Sequence, residues 1–132
     1  MEKIKYEELN SRQKEIYNFQ KASAIFADFG YTTIKLSDDW MGADFIAIIH
    51  DGKEYLKVQL KGVLTFNKEY QDKKIYICFH DQKNHDWYLY PHDKVLDKFV
   101  DNIKSTKSWS LHGAYSYPSL SGYAKKYSNR IC

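Results

Sequence analysis

The sequence is poor in cysteine, with Cys78 and Cys132 the two thiols among 132 residues. Two unspaced thiols make neither a disulfide framework nor a zinc-binding set, so a reducing, cytoplasmic setting is expected. Long apolar runs are missing as well. A membrane-spanning helix needs roughly 18 apolar residues in a row, and no stretch approaches that length. The opening residues MEKIKYEELN lack the apolar centre of a secretory leader, and no membrane partner is expected. No GxxxxGK[ST] phosphate loop, GxSxG nucleophile elbow or zinc spacing occurs, which removes three common routes to chemistry. Neither an internal repeat nor a linker divides the chain, so residues 1–132 read as one domain.

Acidic residues are absent from one end. Residues 104–132 hold Lys104, Lys107, Lys125, Lys126 and Arg130 but no Asp or Glu. The net charge of +3 therefore divides into +5 on that segment and −2 on residues 1–103. Such a basic, aromatic C-terminal extension is what a phosphate-binding surface looks like, and also what a solvated tail looks like.

Aromatic residues are plentiful at 17%, with 12 Tyr. Residues 6–29 read as one long helix, with Phe19, Ala22, Phe26 and Phe29 on one face and Ile16 at its edge. Asn10 or Ser11 offers a later start, and Gly30 a left-handed stop. Strands follow at 31–36, 43–50 and 54–61, the last two joined by the hairpin signal Asp51-Gly52. After a polar segment at 62–73 come strands at 74–79 and 86–90. Pro91 ends the second of these, and a shorter helix spans 92–103. A mostly antiparallel sheet with helices laid on it makes an α/β domain.

The hairpin gathers the residues that carry chemistry. Along 54–61, Leu56, Val58 and Leu60 face one way and Lys57, Gln59 and Lys61 the other. Pairing across Asp51-Gly52 brings Asp44 beside Gln59 and Lys61. A carboxylate and an amide carbonyl suit a hard divalent cation, with water completing its shell. A lysine nearby can orient or deprotonate a bound water. The same residues also fit a plain hairpin with a capping Asp and solvent-facing lysines.

GADFIAI followed by YLKVQLKG resembles the core hairpin of the PD-(D/E)xK nuclease superfamily, in which an Asp opens one strand and (D/E)xK closes the next. The resemblance implies a restriction-endonuclease-like αβββαβ core: a central mixed sheet with flanking helices. It implies Mg²⁺ (or Mn²⁺) held by Asp44 and Gln59, Lys61 acting on the water, and hydrolysis of a phosphodiester. Double-stranded DNA is the implied partner, and cutting both strands favours a homodimer. Ala43 stands where the motif has Pro. Gln59 stands where it has an acid, which removes one negative charge and leaves a second reading open: a catalytically inactive nucleic-acid-binding or protein-interaction domain on the same fold. Many members place a Glu on the first helix to help hold the metal. Glu15, in the middle of the apolar stripe by angle, is the residue expected to do so here, as both catalytic and metal-binding group.

Nucleic-acid contacts are expected from Lys68, Lys73 and Lys74, which share a loop with Phe66 and Tyr70, and from Lys125, Lys126 and Arg130. His50, His80, His85 and His92 each precede an Asp. An HD-type phosphohydrolase would need such pairs on a helical bundle, and here they read as turn chemistry.

Overall fold

Asn10 fixes where the first helix begins. Its side-chain carbonyl accepts the Gln13 N–H at 2.9 Å, and the Gln13 side-chain carbonyl accepts the Asn10 N–H at 3.0 Å. This reciprocal capping box starts α1, Ser11–Asp28. The single helix expected over 6–29 is therefore broken. Tyr6–Glu8 is a separate 3-10 turn, ended by Leu9 in an extended conformation. Gly30, at φ +82°, supplies the expected left-handed stop.

The computed structural model describes residues 1–117 and 128–132. β1, Tyr31–Trp40, runs on through the loop expected at 37–42, with a register irregularity between Lys35 and Trp40. The reversal is confined to Met41 and Gly42, at φ 51° and 85°. Two left-handed residues give a turn whose twist matches that of the strands it joins. β2, Ala43–Ile49, then pairs antiparallel with β3, Tyr55–Lys61. Their register, Ile48 opposite Tyr55, is that of a hairpin centred on Asp51-Gly52. The loop itself is wider than the expected two residues. The Ile49 N–H donates to Glu54 O at 3.1 Å and the Gly52 N–H to Ile49 O at 2.8 Å, so residues 50–53 make the turn.

Beyond β3 the chain forms β4, Thr65–Asn67, and a 3-10 turn, Lys68–Tyr70, inside the segment expected to be merely polar. It returns as β5, Ile75–Asp81, parallel to β3, and β6, Asp86–Pro91, antiparallel to β5. Two helices follow, α2, His92–Lys104, and α3, Lys107–His112. β7, Ala114–Ser116, pairs with β4 in a small second sheet, and β8, Asn129–Arg130, pairs with β6. The main sheet is thus mixed, six-stranded and ordered β1-β2-β3-β5-β6-β8. The residues from 104 on, read from sequence as an extension, supply α3, β7 and β8 to the body.

Each sheet face has its own core. On one, Ala22 and Phe26 of α1 pack on Phe45, Ala47 and Val58. On the other, Val95, Leu96 and Phe99 of α2 pack with Phe66, Ile77 and Tyr90. α2 lies over β5 and β6. On the β1–β3 half of that face Ile34 and Tyr55 remain 50% and 55% exposed. Ile46 and Ile48 line a shallow groove beside them. Among the described residues, no helix is long and apolar enough to cross a membrane.

Candidate functional site

β1, β3 and β5 run in one direction, so their carboxyl ends lie at one end of the sheet, with the beginnings of β2 and β6. A cleft of about 800 Å³ opens there, where ligands of open α/β sheets commonly bind. Asp44, Gln59 and Lys61 all line it, as the hairpin pattern predicts. Its other walls come from the start of α1 (Arg12, Glu15, Asn18), the end of β1 (Lys35, Asp38) and the end of β5 (His80).

Asp44 does more than face the cleft. Its Oδ2 accepts the Leu60 N–H at 2.9 Å. The β2–β3 ladder is paired as far as Phe45 opposite Val58. The carboxylate thus takes the N–H that a continued ladder would give to the carbonyl of residue 43. This holds the side chain at the strand ends. Gln59, next on β3, has a buried Oε1 with no hydrogen-bond partner. A buried acceptor left unmade costs about 1–3 kcal/mol, and its presence calls for an explanation.

Lys61 closes the set. Its Nζ lies 5.6 Å from the centroid of the Tyr70 ring, within cation–π reach. Tyr70 is buried, meets His92 edge-on at 5.5 Å, and occupies the space that a Cβ on Gly42 would enter. His92 is fixed in turn. Its Nε2 accepts the Asn67 N–H at 3.0 Å, and its Nδ1 lies 2.9 Å from Asp93 Oδ1. Burial lowers its pKa from 6.5, against the pull of Asp93. His92 is therefore a core histidine beneath Lys61, not a turn residue. His80 is likewise more than turn chemistry. It lines the cleft and stacks on Trp87 at 4.5 Å with the rings 8° apart. Burial foremost, then His85, lowers its pKa, while Asp81 and Asp86 oppose the shift.

Glu15 is not the carboxylate expected. It sits at the cleft rim, with its side chain 65% exposed and 3.6 Å from Arg12. Its angle on the helix belongs to the apolar stripe, but the buried residues of α1 are Ala22 and Phe26, and the helix start at Glu15 meets water. Asn18, one turn on, is the α1 residue that turns inward. Its Nδ2 donates to the Tyr6 hydroxyl at 3.0 Å, and its Oδ1 is buried without a partner. Its place four residues before Ala22 is the signal available in the sequence.

The expected basic loop lies elsewhere. Lys68, Lys73 and Lys74 do not line the cleft. Parallel pairing sets Lys57 beside Ile75 and Lys61 beside Phe79. The start of β5 is therefore four residues, about 13 Å, from the end of β3. Phe66 and Tyr70, which share that loop, are buried. Lys68 covers the Trp109 ring at 5.4 Å. Arg130 is paired with Asp86 at 3.0 Å. Lys125 and Lys126 lie outside the described residues.

The oxygen donors suit a hard cation such as Mg²⁺ or Mn²⁺, and the unpartnered Gln59 Oε1 fits that use. Asp44 and Gln59 would hold the ion, which would polarise a phosphate and acidify a bound water. Among the described residues no three His, Cys, Asp or Glu side chains form a metal-binding group, so the donor set carries little charge. No family model, curated protein or solved structure matches this chain.

Proposed function

We propose that the protein is a metal-dependent endonuclease of the PD-(D/E)xK, restriction-endonuclease-like kind, with QxK at its third strand. The observation that carries the reading is the buried, unpartnered Oε1 of Gln59, a residue that lines the cleft together with Asp44. Oxygen ligands at the strand ends, with Lys61 at the same end, are the parts that phosphodiester hydrolysis needs. The α1–β1–β2–β3 order supports the fold assignment, although the β3–β5 crossover carries β4 and a 3-10 turn where the superfamily has a helix. Double-stranded DNA is the proposed substrate, with a symmetric dimer where both strands are cut.

The test is nicking of plasmid DNA in Mg²⁺ or Mn²⁺ with an EDTA control. Asp44→Asn is the informative variant, because it keeps an acceptor for the Leu60 N–H while removing the charge. It and Lys61→Ala should each lower the rate about 10²-fold or more. Cleavage at the wild-type rate by Asp44→Asn would reject the assignment.

The low charge of the site favours a second reading, a nucleic-acid-binding domain without catalysis. Gln59→Glu separates the two. In an enzyme, the added charge should make Mg²⁺ raise the melting temperature more than it does in wild type. In a binding domain, the new carboxylate repels Asp44, and the variant melts lower with or without Mg²⁺.

A further inference from the structure

At one corner of the cleft the strand register sets an imidazole between an indole and a glycine. β3 and β5 pair parallel as far as Lys61 beside Phe79, so the next residues along are Gly62 and His80. Across the antiparallel pair His80 stands opposite Trp87. All three line the cleft. Alternation puts His80 and Trp87 on the face of Val58 and Cys78, away from Gln59 and Lys61. The two rings are stacked, with centroids 4.5 Å apart and planes 8° from parallel. Trp87 is buried and His80 half-buried. Side chains stand roughly perpendicular to a sheet, and β3 lies on the side of β5 away from β6. One face of the imidazole is therefore spent on the indole, and the other is turned toward the end of β3. Gly62 stands there for a reason other than backbone conformation. Gly30, Gly42, Gly52 and Gly113 all have left-handed φ, but Gly62 does not, and a Cβ on it would meet nothing within 4 Å. A side chain would fit, and its absence leaves room for a group to approach closely.

We propose that the free face of His80, backed by Trp87 and bordered by the open space at Gly62, is a stacking platform for one nucleobase that has left the duplex stack. A base inside a duplex has neighbours on both faces, so only an unstacked one can use such a ring. This rests on the reading of the cleft as a nuclease site, and it narrows the substrate class to DNA with an unpaired nucleotide seated in the cleft. The charges of the cleft give stacking a part to play. Arg12, Lys35 and Lys61 are balanced by Glu15, Asp38 and Asp44, so attraction of phosphates alone is weak there, whereas a stacked base adds affinity that needs no charge. Burial foremost, then His85, keeps the imidazole neutral at pH 7, with Asp81 and Asp86 opposing.

Fluorescence anisotropy with labelled DNA in EDTA tests this without reference to cleavage. The probes are duplexes of one sequence: fully paired, carrying one extra thymine bulged from a strand, and carrying an abasic residue in place of that thymine. The last two share a backbone and differ by the base alone. Wild type should bind the thymine bulge about tenfold more tightly than the abasic one. His80→Ala should bring that ratio to one, and so should His80→Gln, which keeps hydrogen-bonding groups but no ring. His80→Phe should preserve it. Gly62→Val, which fills the space and leaves the ring alone, should lower it. A ratio measured on one protein is insensitive to a general loss of affinity, and melting curves confirm that each variant folds. Equal binding of the two bulged duplexes by wild type would overturn the platform, as would a preference that survives His80→Ala. Cleavage that depends on Asp44 would in either case leave the nuclease reading intact. A preference that depends on His80, in a protein whose DNA cleavage is absent or indifferent to Asp44→Asn, would keep the platform and overturn the nuclease reading. Failure to bind any of the probes would overturn both.

Discussion

His92 shows how a single side chain ties the hydrogen-bonding of a core to pH. Its Nε2 accepts the Asn67 N–H and its Nδ1–H faces Asp93, an arrangement that only the neutral ring satisfies. A protonated ring would set two donors against each other at Asn67. Its pKa in the fold is lowered from 6.5, so the unfolded chain binds the proton more readily. The stabilisation from His92 is therefore complete above about pH 6.5 and drains away as pH falls through the lower, folded value. The melting temperature should decline between pH 7 and pH 5. His92→Gln, which can keep an acceptor without titrating, should decline less over that range. Equal slopes in the two proteins would show that His92 is not the titrating group. Cys78, buried with its thiol pushed up to about 12, adds nothing in this range.

Among the elements, the β1–β2 turn links the fold to the site. Gly42 has φ +85°, and a Cβ there would come within 3.2 Å of Tyr70 Cδ1, the ring that carries Lys61. Gly52 in the next turn is also left-handed, at φ +73°, but a Cβ there meets nothing within 4 Å. Alanine at either position bears the left-handed penalty of about 1–2 kcal/mol, and Gly42→Ala adds a clash in the core. Chemical denaturation should show Gly42→Ala to be the more destabilised, and equal losses would refute the packing argument. Such details are hard to read from the sequence, whereas the hairpin beside them is legible. Side-chain alternation and Asp51-Gly52 together fix a register that brings Asp44 to Gln59, whatever the width of the loop. The start of α1 is not legible, because residues 6–29 are helix-compatible throughout and two hydrogen bonds at Asn10 decide the matter. Glu15 escapes a sequence reading because an angle on a wheel becomes burial only where a partner surface lies beneath it. Lys73 and Lys74 escape it because neighbours in sequence are carried to the opposite end of a sheet by a parallel return.

At the scale of the whole molecule, the basic segment cannot be treated as detachable. Trp109 is 4% exposed, β7 pairs with β4, and the Trp87 N–H donates to Cys132 O at 2.9 Å. Its part in any nucleic-acid binding is therefore open to single charge neutralisations. Each cation that touches a phosphate should, once neutralised, make the log–log salt slope shallower by about 0.9. The opposite edge of the sheet has other consequences. β1 is ten residues long and forms the border of the main sheet, with Ile34 half exposed upon it. A backbone edge left unpaired among the described residues, beside a half-exposed isoleucine, is the arrangement from which chains add to one another. In colloidal terms, attraction between molecules should concentrate on that flank and depend little on net charge. Light scattering should show association that grows with protein concentration and strengthens on mild warming, as apolar contacts do, with added salt failing to disperse it. Ile34→Lys combined with Tyr55→Lys should raise the concentration at which association begins while leaving the melting temperature close to that of wild type. An unchanged onset would place the sticky surface elsewhere.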